Sequence, residues 1–96
     1  MINYEVLFVI DPTLEDEKKE AAVARVQEVI TADGGEVLDV DVWGLRDLAY
    51  PIQKKTTGYY AVIEFKAGAE LPAELDRRLR ISDDFMRHII VNKDAE

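Results

Sequence analysis

Apolar residues in this chain recur at every second position, then at helical spacing, and the alternation of those two periods sets the order of its elements. Tyr4, Val6, Phe8 and Ile10 alternate with Glu5, Leu7 and Val9, a β-branched and aromatic run that reads as a strand with its even positions on a core. Leu7 and Val9 make the second face apolar as well, so this strand belongs inside a sheet. Asp11-Pro12-Thr13 stops it, because proline has no N–H to give to a ladder. Thr13 is suited to cap the helix that follows, with Glu15, Asp16 and Glu17 at the positive end of its dipole. That helix runs to about Ala32, where Gly34-Gly35 supply the left-handed residue that ends it. Its core stripe is Ala22, Val23, Val26, Val29 and Ile30.

The period then returns to two. Leu38, Val40 and Val42 fall on one side of a second strand, with Asp39 and Asp41 on the other. Paired carboxylates could mark a metal or acid–base site, but charges on the open side of an edge strand also discourage edge-to-edge pairing, and that reading is preferred. Gly44 marks a bulge that carries the strand past the sheet toward Leu48 as an overhanging ribbon. Pro51 fixes a turn or edge position, and Thr56-Thr57-Gly58 reads as the turn before a third strand over Tyr59–Phe65, whose Ala61, Ile63 and Phe65 face the helices. Pro72 opens a second helix with Leu71, Leu75 and Leu79 every fourth residue and Arg77, Arg78 and Arg80 near its negative end. Phe85–Val91 is the last strand, in which Arg87 and His88 point to opposite faces, and 94–96 is expected to be a short frayed tail. The order β, α, β, β, α, β predicts a single α+β domain over 1–93. It is a ferredoxin-like βαββαβ sandwich with a four-stranded antiparallel sheet, two helices on one face, and the second and fourth strands at the edges.

Several functions are excluded by what is missing. There is no cysteine, one histidine (His88) and one serine (Ser82), so neither a Ser-His-Asp nor a Cys-His arrangement can be assembled, and thiolate or imidazole metal sites are not expected. No glycine-rich loop precedes a helix, and the loop after the first strand is Asp11-Pro12-Thr13, whereas acylphosphatases of this topology hold phosphate there in a cationic loop. No enzyme, cofactor or small-molecule substrate is expected. Glu5 interrupts the opening apolar run and nothing approaches a membrane span, so a soluble, cytoplasmic protein is expected.

The net charge of −8 opposes autonomous binding of nucleic acid. Its distribution matters more than its sum: residues 1–43 hold eleven acids and three bases, and residues 44–96 hold nine of each. Local cations lie at Arg46, Lys54 and Lys55, and at Arg77, Arg78, Arg80, Arg87 and Lys93. The aromatic signature of RNA-recognition domains on the third strand is not met, since Thr57-Gly58-Tyr59-Tyr60-Ala61 matches it only at the glycine and first aromatic.

One stretch says more than the rest. Trp43-Gly44, Arg46, Leu48-Ala49-Tyr50-Pro51-Ile52, Lys54-Lys55 and the pair Tyr59-Tyr60 gather the sole tryptophan, most of the tyrosines and three cations. Such a segment suits stacking on bases with neutralisation of phosphate, or an edge covered by another protein. With Tyr4-Glu5 and Arg87-His88, these residues resemble the family of the bacterial small-subunit ribosomal protein numbered six, over almost the whole chain. The resemblance implies a non-catalytic structural constituent of the small ribosomal subunit, cytoplasmic and ribosome-associated. It implies binding to central-domain small-subunit ribosomal RNA as a heterodimer with small-subunit ribosomal protein eighteen. Carried over residue by residue, it assigns RNA contact to Arg46, Tyr50, Lys54 and Arg87, adds Tyr4 and Lys93, and gives Trp43, Leu45 and Leu48 to the protein partner. Ile2-Asn3 stands where the family often carries a base before the Tyr-Glu pair, which weakens an N-terminal RNA contact. The alternative is a regulatory ferredoxin-like module that binds a small acid or nucleotide as a homodimer.

Overall fold

The computed structural model describes residues 1–52 and 54–95. Six main elements follow in the expected order: β1 (Ile2–Ile10), α1 (Asp16–Ala32), β2 (Glu36–Ile52), β3 (Lys55–Ala67), α2 (Leu71–Arg80) and β4 (Phe85–Asn92). The sheet runs β2-β3-β1-β4 with every pair antiparallel, so β1 is interior and β2 and β4 form the edges. Even positions of β1 oppose odd positions of β3, and Val6, Phe8, Ile10, Ala61, Ile63 and Phe65 are all fully buried. Val26 and Ile30 of α1 and Leu71 and Leu75 of α2 close the core from the helical side. Removing these side chains from water is the main stabilising term, because the domain has no covalent staple.

Local chemistry accounts for where the elements stop. Gly34, at φ +84°, lets its own N–H reach Thr31 and that of Gly35 reach Ile30, which satisfies the last carbonyls of α1. The start of α1 differs from expectation. Glu15 is the capping residue and Asp16 the first helical one, while Thr13 is occupied elsewhere. Its N–H and Oγ1 both donate to Asp11 Oδ1, at 2.9 and 2.7 Å, so the hydroxyl is spent on an Asx turn instead of a helix cap. Burial pushes the Asp11 carboxyl up, but the bonds from Thr13 and Lys55 outweigh this and leave it below the ordinary carboxylate range.

β2 departs from simple alternation. Leu38 is an extra residue between the pairs Val37↔Phe65 and Asp39↔Glu64, so Val37, not Leu38, packs on the core with Val40. Leu38 and Val42 are substantially exposed. The expected turn at Thr56–Gly58 is also corrected: those residues lie inside β3, and the chain reverses between Ile52 and Lys55. There Lys54 takes φ +66°, an unusual conformation for a residue with a side chain. The end of the chain continues as a short 3-10 turn, Lys93–Ala95, and Asp94 accepts from the Asn3 N–H and Nδ2 at 2.8 and 3.1 Å. Glu96, the last residue of the expected tail, lies outside the described residues.

Candidate nucleic-acid and partner interface

Both helices cover one face of the sheet, which leaves the other face and the β2–β3 hairpin to carry any binding chemistry. β2 and β3 span 17 and 13 residues, whereas β1 has nine and β4 eight, so the hairpin outlasts the sheet. Gly44 makes this possible. Its φ of +82° lies in the left-handed region, and the register shifts there with Trp43 as the extra residue. The ladder then continues from Gly44↔Tyr60 to Asp47↔Thr57, breaks, and resumes at Ile52↔Lys55.

The unpaired segment between those pairs folds across the open face. Leu48, Ala49, Tyr50 and Ile52 surround a small depression with Val9, Tyr60 and Arg87. Gly58 allows the approach, since a Cβ there would lie 2.3 Å from Val9 Cγ1 and 3.3 Å from Leu48 Cδ2. Leu48 is thus half-buried by its own chain. Tyr50, 57% exposed, is anchored at its tip, where Arg87 Nη1 donates to the Tyr50 hydroxyl at 2.9 Å. Val9, Gly58 and Tyr60 therefore set the position of the hairpin. Sequence reading missed Val9 and Gly58 as determinants, because their effect arises only from side chains meeting across the sheet.

The residues predicted to act separate into three groups. Tyr50 and Arg87 touch one another, and Arg46 and Lys54 are exposed farther along the same hairpin. Arg46 Nη1 donates to the Leu45 carbonyl at 3.0 Å and lies in a shallow depression with Asp47 and Thr57. Leu45 is exposed at 57% and Trp43 at 41%, both large apolar groups left in water. Trp43 is also fixed in place: its ring stacks on Tyr60 with centroids 6.1 Å apart and planes 10° apart, and Nε1 donates to Asp41 Oδ2 at 2.9 Å. Tyr4 and Lys93 sit at the opposite end of the sheet, where Tyr4 pairs with Phe65 and Asn92. Tyr4 is 5% exposed and stacks on Phe65 with centroids 5.5 Å apart, so its ring is part of the core. Lys93 Nζ lies 2.9 Å from Glu64 and 3.6 Å from Glu5, and those carboxylates hold its ammonium more firmly protonated than usual.

The other cations are largely committed. Lys55 pairs with Asp11 at 3.4 Å, tying the turn end of the hairpin to the loop after β1. Arg77 and Arg78 both grip Glu74, whose carboxyl is held down at about 2 by those two hydrogen bonds, and Arg80 pairs with Asp76. His88 points to the helical side and meets the same Asp76, while Arg87 takes the open face. Among the described residues no group of three potential ligands could hold a metal ion. No described helix is long and apolar enough to cross a membrane.

This geometry defines a ferredoxin-like binding scaffold: a rigid sheet whose overhanging hairpin displays aromatic and cationic side chains. The family model described as Ribosomal protein S6 matches residues 3–92. The small ribosomal subunit protein bS6 of Clostridium novyi is 51% identical over 92 residues, which cover 96% of this chain and 97% of that protein. That of Carboxydothermus hydrogenoformans is 50% identical over 92 residues, with 96% of each chain covered. The crystal structure of 30S ribosomal protein S6 from Thermotoga maritima superposes with a TM-score of 0.93 at 29% identity, covering 98% of this chain and 89% of that one. The chain belongs to the ribosomal protein S6 family, a family of ribosomal proteins and not of enzymes.

Proposed function

We propose that the chain is a structural constituent of the small ribosomal subunit in the cytoplasm, where it binds central-domain small-subunit ribosomal RNA as a heterodimer with small-subunit ribosomal protein eighteen. The observation that carries this reading is the hairpin: Trp43, Leu45 and Tyr50 are exposed beside Arg46, Lys54 and Arg87 on a protein that is otherwise acidic. Phosphate binding is driven by the release of counterions, so a chain of net charge −8 gains little by approaching RNA alone. A basic partner supplies that charge, and this chain supplies shape, stacking area and a few placed cations.

In this proposal Arg46, Lys54 and Arg87 meet phosphates, and Tyr50, steadied by Arg87, offers a ring to the RNA. Lys93 joins them only by loosening its two carboxylate partners, and Tyr4 drops out because it is core. Trp43, Leu45 and the exposed edge of Leu48 face the partner protein. The test is sedimentation of the tagged chain from cell extract. It is expected in the small-subunit fraction, and a chain that stays at the top of the gradient at low salt overturns the assignment. In the assembled pair, Arg46→Ala should reduce the salt dependence of RNA binding by about one unit of slope.

A further inference from the structure

Trp43 is held in one orientation by two contacts, the stack on Tyr60 and the hydrogen bond to Asp41, so the ring face turned away from Tyr60 is presented to solvent as a fixed plane. What surrounds that plane is negative. Asp41 lies beside it, and Asp39 continues the row along β2 on the same side of the sheet, opposite Glu64. Among the described residues neither Asp39 nor Asp41 has a cation within ion-pair distance, whereas Glu64 is engaged by Lys93. Like charges facing each other across a strand pair are unfavourable until a cation arrives. The cations of the hairpin, Arg46 and Lys54, come only after the bulge at Gly44.

We infer that the outer face of Trp43, with Asp41 and Asp39 beside it, receives an arginine side chain of the basic protein partner and not an RNA base. This rests on the partnership proposed above and gives the acidic–aromatic segment before Gly44 to protein; beyond Gly44 the cations Arg46 and Lys54 face RNA, while Leu45 and Leu48 stay with the partner. A nucleotide stacked on Trp43 would bring its phosphate against two uncompensated carboxylates, and that repulsion acts against the stacking gain. A cation over the indole is attracted by the ring and by both carboxylates together. Arginine fits better than lysine because a planar guanidinium lies flat on the ring while its edge donates to a carboxylate.

Trp43 is the sole tryptophan, so 5-fluorotryptophan incorporated into the full chain gives a single fluorine resonance at this site. That resonance should shift when ribosomal protein eighteen is added and stay there when central-domain RNA follows. Argininamide titrated into the free chain should move it farther than lysinamide at equal concentration. The double substitution Asp39→Asn with Asp41→Asn should raise the Kd for the partner about tenfold. It should leave the salt slope of RNA binding by the assembled pair unchanged. Trp43→Phe should retain part of the partner affinity that Trp43→Leu loses, with both variants folded by circular dichroism. A resonance that ignores the partner and moves only with RNA, or a double variant that binds the partner as well as the parent, overturns the inference while the proposed assembly stands. Failure of the unsubstituted chain to bind the partner at all removes the partnership, and the inference with it.

Discussion

Gly58 and Gly44 show how much of the interface depends on atoms that are absent. At Gly58 an added methyl meets Val9 and Leu48, so Gly58→Ala must lift the hairpin or displace Val9. A loss of about 1–3 kcal/mol, read from the urea midpoint, is expected, with the hairpin amides exchanging faster. At Gly44 there is open space for a Cβ, and the constraint is the backbone alone. Gly44→Ala should therefore cost about 1 kcal/mol through its positive φ, with no change in packing elsewhere. Tyr4 and Tyr50 make the complementary point: the same residue type is core in one place and exposed in the other. The spacing of Tyr4 with Val6, Phe8 and Ile10 already puts it on the core side, and only the family resemblance made it an RNA contact. The surroundings of Tyr50 are not legible locally, because its partner Arg87 lies 37 residues away in sequence.

Among the elements, α2 and β4 are joined by a small charged relay that the sequence shows only as unrelated residues. Asp76 on α2 meets His88 on β4 and Arg80 one turn along its own helix. The hydrogen bond from His88, with the charge of Arg80, holds the Asp76 carboxyl below its ordinary range, and Glu74 is lowered to about 2 by Arg77 and Arg78. A carboxyl lowered by folding contributes stability that is complete above its unfolded pKa and vanishes as the pH falls through the folded one. The urea midpoint should therefore fall between about pH 4 and pH 2, and Asp76→Asn with Glu74→Gln should flatten that acid limb. An acid limb of unchanged steepness would show that these pairs are screened by solvent. Element order, both core stripes and the bulge at Gly44 follow directly from periodicity and glycine placement. The Leu38 bulge does not, because alternation in Leu38, Val40 and Val42 is unbroken in sequence, and the phase shift is imposed by pairing with β3. The turn at Lys54 was hidden for a related reason: Thr56-Thr57-Gly58 has better turn chemistry, yet Gly58 is used for close approach.

Across the whole molecule, charge is divided by position: the acidic excess lies in the first 43 residues, and five of the nine cations of the second part, Lys55, Arg77, Arg78, Arg80 and Lys93, are held by carboxylates. Among the described residues, Arg46, Lys54 and Arg87 are the exposed cations of that part outside those ion pairs, a small number for a surface that must hold RNA unaided. In the proposed assembly most of the phosphate neutralisation therefore falls to the partner and the shape of the contact to this chain. Its most direct test is the affinity for central-domain RNA of the chain alone and of the chain paired with ribosomal protein eighteen, measured across a series of salt concentrations. The expected result is negligible binding by the chain alone at moderate salt and tight, salt-sensitive binding by the pair. Equal RNA affinity with and without the partner, or a pair that ignores the RNA, would contradict it.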